Sequence, residues 1–267
     1  MKTRITSAAI AIALAATAPA LYARDHSAMD SEGGANQSPT GSMSGKLLEN
    51  DHMAMTPVRQ VAPGDVERGN EILRVMREKL SKYRDSDAAV GDGYDPFMPA
   101  IPQDVFHFSS REITTAEYLG DFALTRPGSL LYKKKTFGGY ELIGAMYSAP
   151  PNATPEQLDK LIPLSLSQWH AHTNICLPQG VTLQDAMNGV MPMRPDIHST
   201  GSAARGGVRA RFGYLADRRF GFTGTIARED DCGAANGSFH QQIFGWMVHV
   251  YPFSGDDFRV AFGREVP

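Results

Sequence analysis

Trp169-His170-Ala171-His172-Thr173-Asn174-Ile175-Cys176, reached through Leu164-Ser165-Leu166-Ser167-Gln168, decides how the rest of this chain is read. It joins strand-like composition to a compact set of metal-ligand side chains. In an extended chain successive side chains alternate between faces, so Gln168, His170, His172, Asn174 and Cys176 share one face and Trp169, Ala171, Thr173 and Ile175 the other. Leu164 and Leu166 begin the histidine row, which predicts that it runs under cover. A covered imidazole needs a partner. Neutral imidazole is the commonest protein metal ligand, and His-x-His on a strand sets two side by side without distorting the backbone. The alternative is structural, with the rings hydrogen-bonded inside a sheet.

A second stretch, Phe239 to Phe253, repeats the pattern. It is dense in β-formers, Pro252 closes it, and an extended Trp246 to Tyr251 puts Met247, His249 and Tyr251 on one face. His107, between Phe106 and Phe108 in the short strand expected over Val105 to Ser109, is a candidate further ligand. Gly128 to Lys135 and Tyr140 to Ser148, split by Thr136-Phe137-Gly138-Gly139, read as a β-hairpin. The helices expected are an amphipathic one from Gly64 to Tyr83, a short one capped by Thr154, another from Thr182 to Met187, and one from Thr225 to Ala235 carrying Cys232. Met191 to Gly207 reads as a long loop. Together these predict an α+β domain whose antiparallel sheet is open or closed into a barrel, with an N-terminal amphipathic helix.

The 267 residues, 42% hydrophobic and 21% charged, suffice for a sizeable core. A formal charge of -3 with no long basic block speaks against nucleic acid as a partner. Lys2 and Arg4 followed by the small apolar run Ala8 to Ala16 and Ala18-Pro19-Ala20 read as a secretory signal over 1–23, too short to span a bilayer. A periplasmic or secreted protein is expected, with no membrane span. In that oxidising setting the two cysteines, Cys176 and Cys232, are expected to pair, the competing role for one being a soft copper ligand. No Gly-x-Ser-x-Gly elbow, phosphate loop or Cys-x-x-Cys pair occurs.

Residues 24–63 are rich in Ser, Gly, Asp and Met and read as a disordered tether ahead of a domain over 64–267. Within it His26 with Met29, and His52 with Met53 and Met55, pair imidazole with thioether, a ligand set that suits copper. These pieces resemble the Asp-His-Ser-x-Met elements of periplasmic copper-resistance proteins. From about Gly64 onward, the Trp169-to-Cys176 motif, Phe244-Gly245-Trp246-Met247-Val248-His249-Val250 and Arg126-Pro127-Gly128-Ser129-Leu130-Leu131-Tyr132 resemble an uncharacterised group of exported bacterial proteins. More distantly the chain is similar to a larger secreted family with a Gly-Val-Glu-Tyr strand, where this chain reads Gly144-Ala145-Met146-Tyr147 without the glutamate. The resemblance implies shared architecture and a histidine site, and no reaction. The expectation is therefore a metal site from His170, His172 and His249, with His107 as fourth candidate, taking copper first and zinc second. A cupin-like hydrolase or oxygenase using the same histidines is the enzyme alternative, and a metal-free interaction domain the third.

Overall fold

A computed structural model describes residues 51–97, 104–182, 217, 219–222, 224–255 and 257–263. Their order along the chain is β1 (Met53–Met55), α1 (Asp65–Leu80) running into a 3-10 turn (Ser81–Arg84), α2 (Ser86–Gly91), β2 (Asp95–Pro96), β3 (Phe106–Ser109), α3 (Arg111–Tyr118), β4 (Ser129–Lys134), β5 (Tyr140–Ala149), α4 (Pro155–Leu161), β6 (His170–Pro178), α5 (Glu229–Ala234), β7 (Gly237–Val250) and α6 (Phe258–Ala261). The seven strands form one antiparallel sheet in the order β1-β6-β7-β5-β4-β3-β2. The α+β class is as expected. The sheet is open, not a barrel, since β1 and β2 are both edges.

Helix α1 forms because Ile72, Leu73, Met76 and Leu80 recur at helical spacing and bury one stripe, with acids in the first turn and bases in the last favouring the helix dipole. That stripe packs with Leu130, Tyr132, Tyr147, Val248 and Val250, which fixes one sheet face as the main core. Burial of such side chains contributes about 1.5–3 kcal/mol each. Helix α4 starts where the sequence predicts, with Thr154 and Gln157 closing a capping box. Helix α5 is shorter than expected: its N-cap is Arg228, not Thr225, and no side chain caps it.

Two boundaries move. The strand of β6 begins at His170, not at Leu164, because Leu166 N and Ser167 N both turn back to the Pro163 carbonyl. Leu164 and Leu166 thereby join the main core instead of the histidine row. At the other end, residues 51–56 belong to the fold and not to a tether. Met53, Ala54 and Met55 pair with His172, Ala171 and His170, and Thr56 clasps Trp169 through two further hydrogen bonds. Composition concealed this, because an edge strand stabilised by a neighbour needs no hydrophobic run of its own. The signal segment, His26, Met29 and the helix and loop expected over 182–207 lie wholly or mostly outside the described residues.

Cys176 and Cys232 are bonded, with Cα atoms 5.7 Å apart, tying β6 to α5. Cys176 is therefore not a metal ligand. The close approach depends on Gly237, where a Cβ would come within 2.5 Å of Cys176 Sγ.

A candidate metal site on the inner face of the sheet

In an antiparallel pair, directly opposed residues project to the same face. The register therefore defines the face away from α1: His107 opposes Leu131, Leu131 opposes Gly144, Met146 opposes His249, and His170 lies between Met55 and Met247. In a flat sheet β3 and β7, three strands apart, would lie about 14 Å from one another at the usual strand spacing. The His107 and His249 ring centroids are nevertheless 5.6 Å apart. The sheet must curl, with the histidines on its concave side.

Local features produce the curl. The register slips between Leu131 and Tyr132, and again where His170 and His172 face Met247 and Ile243, so Phe244, Gly245 and Trp246 of β7 together span the place of Ala171 on β6, two residues more than a regular ladder holds. Phe244 takes φ 62°, which is costly for a bulky aromatic and marks a bulge held by its surroundings. Gly245 accommodates it, since a Cβ there would fall 1.9 Å from the Ala149 carbonyl oxygen. Gly144 leaves room for Tyr251, whose ring a Cβ would meet at 2.8 Å.

The four imidazoles form a continuous chain of rings. Centroids are 5.6 Å apart for His107 and His249, 5.1 Å for His249 and His170, and 5.9 Å for His170 and His172. His107, His170 and His249 are 7%, 2% and 7% exposed, and His172 is half-buried. Burial holds all four well below the ordinary histidine range, at about 4 for His107 and His172 and about 3 for His249; neighbouring rings add to the effect at His170, His172 and His249, while a backbone hydrogen bond to Val105 opposes it at His107. They are neutral at physiological pH, the form that coordinates metals.

Three buried ring nitrogens have no hydrogen-bond partner: His107 Nδ1, His170 Nδ1 and His249 Nε2. An unsatisfied buried nitrogen costs about 1–3 kcal/mol. The other nitrogen of His249, Nδ1, is 3.3 Å from the Tyr251 hydroxyl. When Nδ1 donates to that oxygen, the Nε2 lone pair is left for a ligand. Among the described residues no three His, Cys, Asp or Glu side chains have their ligating atoms converged on one point. The rings meet at interplanar angles of 52–88°. Two imidazoles bound at about 2.0–2.1 Å to one tetrahedral ion place their centroids roughly 5 Å apart. The ring spacing is close to that value, while the ligating atoms themselves do not converge.

The rings of His170, His172 and His249, expected to converge, lie on one face as neighbours through His170, with His107 beside His249, but their ligating atoms do not meet at one point. His52 is not part of this chain of rings. Its Nδ1 is 3.0 Å from the Asn174 carbonyl and its Nε2 2.7 Å from the Gly224 carbonyl, so both nitrogens serve to anchor the N-terminal strand. Sequence reading missed Glu117, a carboxylate on α3 that is 1% exposed. Its two oxygens accept hydrogen bonds from Gly128 N and Ser148 N, both 2.9 Å, and burial pushes its carboxyl up to about 8 against the pull of these donors. A lone glutamate in an eight-residue helix carries no sequence signal of such a role.

No protein-family model, curated protein or solved structure matches this chain. The motifs and the geometry carry its functional reading.

Proposed function

We propose that this is an exported metal-binding protein whose site consists of His170, His172 and His249 with His107, and whose ion is copper in preference to zinc. The observation that carries the reading is the set of three buried ring nitrogens without partners on neutral, neighbouring imidazoles. A bound ion would satisfy them together and offset a cost no ordinary structural role requires. Imidazoles alone do not separate copper from zinc, so the preference for copper rests on the thioethers beside them. The segment containing His26 and Met29 supplies the same ligand types and would capture the ion ahead of the site.

The test is elemental analysis of untagged protein purified from its export compartment. One equivalent of copper in the native protein, lost in the His170→Ala and His249→Ala variants, is the expected result. Protein that carries no metal and takes up neither copper nor zinc when offered them refutes the reading. A catalytic version is favoured by one contact, the Tyr251 hydroxyl beside His249 Nδ1. A Tyr251→Phe variant that keeps the metal but loses dioxygen consumption or ester hydrolysis by the loaded protein would identify it.

A further inference from the structure

We infer that the site is built for cuprous copper, with methionine thioethers of the same sheet face completing the imidazole set. This rests on the metal-binding reading above and adds an oxidation state and a second group of ligands.

The register supplies the argument. Met53 stands directly opposite His172, Met55 and Met247 stand opposite His170 on its two sides, and Met146 stands opposite His249. Directly opposed residues have Cβ atoms about 4.5–5.5 Å apart on a shared face. A methionine side chain, with three rotatable bonds beyond Cβ, spans that distance easily. Each of the three motif histidines therefore has a thioether beside it. Met53 and Met247 are 3% and 5% exposed, buried as the histidines are, while Met55 and Met146 are half-buried.

Soft thioether sulfur favours copper in its lower oxidation state over zinc or cupric copper, which prefer nitrogen and oxygen ligands. Neutral sulfur and neutral imidazole also leave the +1 charge uncancelled, which disfavours the more highly charged cupric ion in a buried setting. The disulfide has removed the cysteines from competition, since Cys176 and Cys232 are bonded to each other. Any sulfur on the ion must then come from methionine. Met53 and Met55 stand opposite the histidines only because β1 is hydrogen-bonded to β6, which makes the N-terminal strand part of this arrangement.

The full-length exported protein, in its untagged form, would be titrated anaerobically with Cu(I) against bathocuproine disulfonate, and in parallel with Zn(II) and Cu(II). X-ray absorption of the Cu(I) form would read the ligand types directly. Met53→Leu, Met55→Leu, Met146→Leu and Met247→Leu nearly conserve volume. The expected result is a sulfur shell on Cu(I) and a loss of Cu(I) affinity on the order of tenfold in at least the Met53 and Met247 variants, with Zn(II) binding unchanged. An ion bound only by nitrogen and oxygen, or Leu variants that hold Cu(I) as tightly as the parent, overturns this inference while leaving the histidine site standing. Failure to bind Cu(I), Cu(II) and Zn(II) alike overturns the metal-binding reading itself. The wild-type absorption spectrum keeps the question decidable even if a variant does not fold.

Discussion

Acidification should unfold the metal-free protein unusually steeply, and the imidazole cluster sets the size of the effect. In the unfolded chain a histidine takes up its proton near pH 6.5. In the folded chain His107 and His172 wait until about 4 and His249 until about 3, with His170 held well below the ordinary range, because burial opposes the charge, joined by neighbouring rings at His170, His172 and His249. A depressed folded value means the contribution is intact above pH 6.5 and is lost as pH falls from there toward 4. In that window the unfolded chain binds up to four more protons from these residues. Glu117 acts in the opposite sense: burial raises its folded value to about 8, so the folded state holds one proton more than the unfolded between about pH 8 and 4.5. The net difference is about three protons, and each contributes about 1.4 kcal/mol per pH unit. Stability should therefore fall by roughly 4 kcal/mol per pH unit between about pH 6 and 4.5, enough to exhaust a typical total of about 5–15 kcal/mol. Urea unfolding of chelator-treated protein at half-unit pH steps, followed by fluorescence of the buried Trp169, measures this slope. A slope below about 1.4 kcal/mol per pH unit means fewer than one net proton, and would refute the picture of buried, neutral rings.

Glu117→Gln should destabilise the fold by about 1–3 kcal/mol at pH 9, above its raised folded value of about 8, because the amide presents N–H groups to one of the two backbone N–H donors that the ionised carboxylate accepts. Urea titration checks it, and an unchanged midpoint would show that Glu117 does not fasten the start of β4 to the end of β5. Reducing the Cys176–Cys232 bond, which closes a separation of 56 residues, should cost on the order of 4 kcal/mol in the chain-entropy picture. Thermal unfolding with and without a phosphine reductant reads the loss, and thiol titration of the unreduced, unfolded protein should find no free thiol.

Local chemistry made several parts of this protein legible from its residues. The β4–β5 hairpin, the capping box at Thr154, the amphipathic stripe of α1 and the disulfide each depend on neighbours in sequence or on the scarcity of alternatives. The period-two alternation of His170 with His172, and of Met247 with His249 and Tyr251, placed these side chains on one face before any strand pairing was known. Three things were decided by tertiary structure. The curl of the sheet brings His107 across three strands to His249, and it depends on the Phe244 bulge and on Gly144 and Gly245, whose effect exists only once β5 and β7 are paired. The pairing of Met53–Met55 with β6 turned a segment of linker-like composition into an edge strand, because its hydrogen bonds are long-range and leave no periodic trace in the sequence. Glu117 was likewise invisible, since its partners, Gly128 and Ser148, are set by packing of α3 against the sheet and not by spacing. Side-chain alternation is a property of one strand, whereas the adjacency of four histidine rings is a property of the register among several.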